Sequence, residues 1–270
     1  MNAYLVSHNG MGDNLYMIGA LHYISKYYNT TYFLCKKKYY DNIKLFFEDT
    51  NIECLPFDES NEVNNIIRIL HDKYNRYNDI FICGCHTSYL PSKITNSEFT
   101  NTILLPNTYS IDWDTINDFN YEFIHKFYRD ISLNITYMFK YFHIPQTNES
   151  YELYKSISKY HIVFIQYKSS DGKNLNISNL IKDIDTHNKI LICNDINLYD
   201  SNKYPEKHEL AQKFVFNKLV YYFDTIKHAD EIYIIDSCFI GMVLPLLKTG
   251  QLKTNKVRII LRDDVQNHDL

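Results

Sequence analysis

What this chain lacks narrows its functions. Only 7 of its 270 residues are glycine, so the places where glycines gather carry information. No strong charge of either sign exists: 28 Lys and Arg against 32 Asp and Glu give −4 with His neutral. A polyanion would find no field to follow, and a nucleic-acid partner is not expected. No uninterrupted apolar run reaches the ~18 residues of a membrane span. The opening "MNAYLVSHNG" has no basic n-region and no long apolar h-region, so a signal peptide is not expected either. Of the 6 cysteines, only Cys83 and Cys85 stand close together, and no second pair completes a zinc site. Scattered thiols of this kind read as buried and reduced, which suits a cytoplasmic protein. No metal and no resident cofactor are expected.

What is present supports an ordinary folded core. The chain is 45% hydrophobic and 22% charged, and its length allows one large or two ordinary domains. Its 25 tyrosines fit AT-rich coding combined with routine packing, so tyrosine clusters are given no functional weight.

The hydrophobic pattern alternates between two periods. "AYLVS" (3–7) reads as a buried strand, and Met17, Leu21, Ile24 and Tyr28 then recur at helical spacing. "TTYFLC" (30–35), "IECLPF" (52–57) and "DIFICGC" (79–85) read as strands. "YYDNIKLFF" (39–47) and "EVNNIIRILHDKYN" (62–75) read as helices, the latter with Ile66, Ile67 and Leu70 on one side. "NTILLP" (101–106) reads as a further strand and the stretch 114–142 as helix. "HIPQTNES" (143–150) breaks the pattern and marks a boundary, giving domains 1–145 and 146–270. The second half repeats the alternation: strands at 160–168, 189–194, 231–236 and 256–261, helices at 177–184 and 237–250, and one helix or two at 208–230. Pro245 is expected to kink the last helix or to mark a second start. This alternation predicts an α/β protein of two Rossmann-like domains, each a parallel sheet covered by helices. Ligands of such sheets bind at the carboxyl ends of the strands, and the cleft between two facing domains is the expected site.

The glycines gather after the first strand, in "VSHNGMGDNLYMIGA". Gly10 and Gly12 flank Met11, and glycine allows positive φ and close approach of backbone to ligand. Strand, G-x-G and helix make half of a dinucleotide fingerprint. The third glycine is missing, since Leu15 holds its place. The ribose-binding acid is missing too, since Lys36, Lys37 and Lys38 follow the second strand. A Rossmann oxidoreductase is therefore disfavoured. Asp13 stands where a pyrophosphate would otherwise sit. Two roles stay open for it. It can cap its helix, where the dipole favours a carboxylate by roughly 0.3–1 kcal/mol, or it can serve as a base toward a hydroxyl.

Two segments resemble a known family. "GMGDNLYMIGALHYISKYY" and "ADEIYIIDSCFIGMVLPLLKTG" (229–250) look like the two signatures of heptosyltransferase-like glycosyltransferases of the GT-B fold. The resemblance covers about 45 residues at opposite ends of the chain, in the family's order. It implies an inverting, metal-independent transfer of a sugar from a nucleotide-diphosphate sugar to a glycan or glycolipid acceptor. The N-terminal half would hold the acceptor and the C-terminal half the donor. By the same resemblance Asp13 matches the catalytic base, and Asp236 and Ser237 match residues near the donor. The sequence departs from the family after Asp236-Ser237. Cys238 replaces a glycine there, and the usual histidine of the following helix is absent.

Chemistry adds a second group of residues. A departing nucleoside diphosphate gains charge that cations, hydroxyls and helix N-termini must balance. "QYKSSDGKNLNIS" (166–178) follows a strand and offers Lys168, Ser169, Ser170 and Lys173, although Ser-Ser-Asp-Gly is also ordinary turn chemistry. Ser237 can cap its helix, face a phosphate, or both. Gly10, Gly12, Asn14 and His86 are the expected acceptor-side loop residues. His86 also reads as a plain loop histidine, and Glu59, Glu62 and Lys36–Lys38 read as solvated surface. "DWD" (112–114) precedes a helical pattern and reads as capping rather than metal binding. A catalytically silent nucleotide- or sugar-binding module of the same fold remains the alternative.

Overall fold

The computed structural model describes residues 1–7, 10–73, 78–91, 122–182 and 184–262. The "DWD" triplet and "NTILLP" lie outside them. The chain divides into two compact units, Met1–Pro145 and Gln146–Leu270.

The first unit is built on four parallel strands: β1 (Ala3–Val6), β2 (Thr31–Lys36), β3 (Ile52–Phe57) and β4 (Asp79–Ile82), in the order β3-β2-β1-β4. All four residues of β1 are at most 1% exposed. A strand with both edges paired and both faces covered must read as a continuous apolar run, as "AYLV" does. The helices follow from the connections, because parallel neighbours need a crossover. They are α1 (Met11–Tyr16), α2 (Ile18–Ile24), α3 (Lys37–Ile43), α4 (Glu62–Lys73), α5 (Glu122–Asp130) and α6 (Thr136–Lys140). From α4, Ile66 and Leu70 pack into a cluster with Tyr4, Val6, Leu34, Ile80 and Ile82 of the sheet, with Ile67 partly buried at its border.

Local signals explain several boundaries. The pattern at 39–47 resolves into α3, starting two residues earlier, followed by a 3-10 turn over Lys44–Phe47. The described part of the 114–142 stretch is two helices rather than one. They are separated at Ser132, whose φ of +55° no α-helix accommodates. A further helix, α7 (Asn148–Ile157), begins inside the boundary segment, where the Thr147 hydroxyl accepts the Ser150 N–H at 3.1 Å.

The second unit repeats the design with β5 (His161–Gln166), β6 (Lys189–Cys193), β7 (Glu231–Ile235) and β8 (Val257–Ile260), all parallel in the order β6-β5-β7-β8. Ile162 to Ile165 of the central β5 are at most 1% exposed. The helices are α8 (Ser178–Lys182), α9 (Pro205–Gln212), α10 (Phe223–His228) and α11 (Ile240–Lys248). The 208–230 stretch is thus two helices, α9 and α10, with a turn and a 3-10 segment between them. Residues Ile240 to Leu246 of α11 are all buried, Pro245 among them, and the helix continues through that proline. Among the described residues, no helix is long and apolar enough to cross a membrane.

Close packing in the first unit concentrates at Gly19. A Cβ there would lie 2.4 Å from the Tyr137 carbonyl oxygen and 2.7 Å from the Met138 Cα, both backbone atoms of α6. Gly19→Ala must therefore push α2 and α6 apart. We expect a loss of about 1–3 kcal/mol, seen as a melting temperature lower by several degrees. An unchanged melting temperature would remove this contact from the account of the fold.

Candidate functional site

In the first unit the acid of the glycine loop is fixed by the backbone beside it. Gly10 precedes α1 with φ −79° and ψ 155°, and its N–H donates to Asp13 Oδ2 at 2.9 Å. This is the backbone half of a capping box. Positive φ is therefore not what Gly10 supplies, and Gly12 lies within the helix. A Cβ at Gly10 would sit 2.5 Å from Asp13 Oδ2. Gly10 is needed so that the carboxylate can fold back on the chain. Capping is realised, and Asp13 keeps part of its surface open to solvent. Asn14, next to it, is 2% exposed, and neither its Oδ1 nor its Nδ2 has a hydrogen-bond partner. A buried amide with both ends unsatisfied calls for a ligand or bound water.

The end of β4 contributes a second set of groups. Gly84 takes φ +71°, and its N–H donates to Asp130 Oδ2 of α5 at 2.9 Å. This glycine, rather than Gly10 or Gly12, is the one whose backbone demands the left-handed region. Burial raises the Asp130 pKa, and the Gly84 N–H pulls it partly back. The Cys83 thiol is pushed up to about 12, chiefly by burial, with the charges of Asp130 and Asp13 adding to the effect. Burial also raises Cys85, with the charge of Glu62 next in weight. Both thiols are thus shifted away from the thiolate form. Among the described residues, no cluster of three or more His, Cys, Asp or Glu could hold a metal.

His86 is not a solvent-facing loop histidine. It is fully buried, with Nε2 3.0 Å from Glu62 Oε1 and Nδ1 3.6 Å from the Cys85 sulfur. Glu62 also accepts from the Tyr89 hydroxyl at 3.5 Å and faces Lys36 Nζ at 3.7 Å. The side chains of Lys36 and Glu62 are only 17% and 21% exposed. The expectation of a solvated surface therefore fails for these two. They join the loop after β4 to the end of β2. Lys38 and Glu59, paired at 2.7 Å, do stand nearer solvent.

In the second unit the loop after β5 closes into a hairpin. Lys168 and Asn174 form an antiparallel bridge, the Gly172 N–H donates to the Ser169 carbonyl at 3.1 Å, and Gly172 takes φ +88°. The Ser169 hydroxyl binds the Asp171 carboxylate, and the Lys173 N–H reaches the Ser169 hydroxyl oxygen at 3.1 Å. Ser169 is thus engaged in building the turn. Ser170 is exposed at its tip, and Lys173 Nζ donates to the Arg262 carbonyl at 2.9 Å. The Lys168 side chain is exposed, while its N–H donates to Asp195 Oδ2 at 2.9 Å.

Ser237 does not cap α11. The residue at the N-cap is Phe239, and no side chain caps the helix. The Ser237 carbonyl accepts the Ile240 N–H at 3.1 Å in a tight turn that delays the helix by three residues. Ser237 is 7% exposed, and its hydroxyl is buried without an oxygen or nitrogen partner. Asp236 continues the β7 ladder, its N–H donating to the Ile260 carbonyl at 2.8 Å while its own carbonyl accepts from Arg262 Nε at 2.7 Å.

Residues that the sequence did not point to complete this edge. Gln166, the last residue of β5, is 3% exposed, and its Oε1 has no partner. Asn194 Oδ1 is likewise buried and unpartnered, and its Nδ2 donates to Asp195 Oδ1 at 3.0 Å. Gln166, Asn194 and Ser237 therefore bring three unsatisfied polar atoms to the carboxyl ends of the adjacent strands β5, β6 and β7. The Asp195 pKa is raised, chiefly by burial, and its hydrogen bond from Lys168 offsets only part of that. An acid directly after the second strand of this unit was the available signal.

No family model matches this chain, and no curated protein does. Solved structures do. A family 9 glycosyl transferase from Veillonella parvula superposes with a TM-score of 0.57 over 97% of this chain and 86% of its own, at 11% identity. The fold is that of the heptosyltransferases. The E. coli ADP-heptose LPS heptosyltransferase II gives 0.56 over 96% and 90%, at 10% identity, and E. coli heptosyltransferase WaaC with ADP gives 0.52 over 97% and 91%, at 10% identity. The two parallel four-stranded sheets are a GT-B arrangement in α/β form.

Asp195 should weaken the fold it belongs to. A carboxyl whose pKa is raised in the folded state is penalised above that raised value and is not penalised below its ordinary 3.8. Asp195→Asn, which can still accept the Lys168 N–H, should therefore raise the melting temperature at pH 7. The gain should vanish as the pH falls to about 3.8 and below. A gain independent of pH would show that the charge is not its source.

Proposed function

We propose that this protein is an inverting, metal-independent glycosyltransferase that moves a sugar from a nucleotide-diphosphate sugar to a hydroxyl of a glycan or glycolipid. The observation that carries the reading is the Asp13 carboxylate, positioned by the Gly10 N–H after the first strand of a fold shared with heptosyltransferases over more than 95% of the chain. One of those neighbours holds ADP and another structure of it holds ADP-2-deoxy-2-fluoro heptose, which supports a nucleoside diphosphate as the leaving group here.

In this reading the first unit binds the acceptor and the second binds the donor. Asp13 takes the proton of the acceptor hydroxyl as its oxygen attacks the anomeric carbon. The bond from that carbon to the diphosphate breaks on the opposite side, so the configuration inverts. Asn14, with an unsatisfied amide beside the base, positions the hydroxyl. The leaving diphosphate takes the electron pair of the broken bond, and its added charge is balanced by Lys168 and by a hydrogen bond from the buried hydroxyl of Ser237. Lys173, Asp236 and Ser169 act indirectly, by shaping the hairpin and the turn that present those groups. No divalent cation is needed where such groups balance the departing charge.

A thermal-shift series with UDP, GDP, ADP, CMP and their sugars tests the donor. A true donor at 100 times its dissociation constant stabilises by about 2.7 kcal/mol and stands apart from the others. Asp13→Asn tests the chemistry. Transfer should fall a hundredfold or more, in the range of general-base losses, with donor affinity nearly unchanged. Full transfer by the variant would exclude Asp13 as the base. Donor binding without transfer or hydrolysis in the wild type would favour a silent binding module.

A further inference from the structure

We infer that Phe216 is the stacking platform for the nucleobase of the donor, an inference that rests on the donor-binding reading of the second unit. Phe216 is 81% exposed and takes φ +55°. Each feature is unfavourable for a phenylalanine. The left-handed region costs a residue with a Cβ roughly 1–2 kcal/mol, and an exposed ring leaves its apolar surface in water. A turn after α9 explains a positive φ, which glycine or asparagine would adopt more easily. It does not explain an aromatic ring there.

The backbone that carries the ring is anchored. The Phe216 N–H donates to the Asn194 carbonyl at 2.8 Å, just beyond β6. Phe214, two residues earlier, is fully buried, its carbonyl accepts the Tyr222 hydroxyl, and its ring packs against Tyr222. On the other side the Asn217 N–H donates to the Tyr222 hydroxyl at 3.2 Å, and the Asn217 amide donates to the Lys213 carbonyl at 2.9 Å. The backbone on both sides is thus hydrogen-bonded, with Phe214 and Tyr222 buried beneath it.

Its position selects the occupant. In a sheet of order β6-β5-β7-β8 the strand order reverses between β5 and β7, and phosphates bind in that crevice. In the Rossmann dinucleotide pattern the acid that follows the second strand of the unit faces the ribose, so the nucleoside lies toward that strand. The second strand here is β6, Asp195 is that acid, and Phe216 is bonded to the residue before it. Asn194 adds a buried oxygen without a partner at the same edge. A planar base above Phe216 would gain stacking that is tolerant of base identity, and a sugar lacking a π-face would gain less.

Calorimetric titration of ADP, GDP, UDP and inorganic pyrophosphate into wild type, Phe216→Asn and Phe216→Trp tests the inference. Asparagine suits the left-handed backbone, so this variant should fold with an equal or higher melting temperature. The nucleoside diphosphate that wild type binds best should bind Phe216→Asn about tenfold or more weakly and Phe216→Trp as well as wild type. It should also quench the added tryptophan's emission. Pyrophosphate, which has no base, should bind all three alike. Equal nucleoside diphosphate affinity in wild type and Phe216→Asn would overturn the role of Phe216 and leave the donor reading standing. An equal loss for pyrophosphate would overturn it as well, by showing a general disturbance of the site. Wild type that binds none of the nucleotides would overturn both.

Discussion

Each unit depends on one strand that is hydrogen-bonded along both edges and covered on both faces. In the first unit it is β1 and in the second β5. Its neighbours are parallel, so every return of the chain must cross the sheet, and every such crossing leaves the same end of the strands free. That end is where Asp13 and Asn14 follow β1, where Gly84 and His86 follow β4, and where Lys168, Asp195 and Ser237 follow β5, β6 and β7. These residues are scattered in sequence. Parallel pairing alone brings each set to one edge.

The sparing use of glycine then acquires a physical explanation. Gly10 gives up a side chain so that the Asp13 carboxylate can accept its N–H, since a Cβ would overlap the oxygen. Gly84 accepts a left-handed backbone so that its N–H can reach Asp130. In both cases the glycine fixes the direction of a carboxylate. A dinucleotide-binding loop uses its glycines to let phosphate approach the backbone. This loop uses one to hold a charge that would repel phosphate. Gly10 and Asp13 thus set this loop apart from a dinucleotide-binding one.

Much of the fold was legible because strand burial and helix amphipathicity leave different periods. Of the eight strands among the described residues, seven lie within the segments that alternation and apolar runs marked out, and β2 overruns its segment by one residue, Lys36. Where the reading went astray or stayed open, a tertiary contact decided against or beyond the local pattern. The 208–230 stretch allowed one helix or two, and it is two because the chain turns at 213–218 to bind Asn194 and Tyr222. Ser237 carries a capping residue's chemistry, but the helix starts three residues later, at Ile240. Glu62 looks like a surface acid at the start of an amphipathic helix. Only the return of the chain after β4 places His86 against it. Gln166 and Asn194 could not be singled out at all, because polar residues at strand ends are common and only burial shows which lack partners.

Those unpartnered atoms separate a stable scaffold from a working one. A buried polar group without a hydrogen bond costs about 1–3 kcal/mol, and a chain selected for stability alone would replace it. Asn14, Gln166, Asn194 and Ser237 all retain such atoms at the carboxyl ends of strands. Thr31 and Asn78, near the opposite ends of β2 and β4, show that orphaned atoms are not confined to sites. Position therefore decides more than count. At the carboxyl ends the orphans stand beside a fixed carboxylate in one unit, and beside a lysine, a raised-pKa acid and a strained aromatic in the other. Instability that coincides with chemically usable neighbours is what a binding edge requires, because a ligand that completes the missing hydrogen bonds recovers the energy the empty fold gives up.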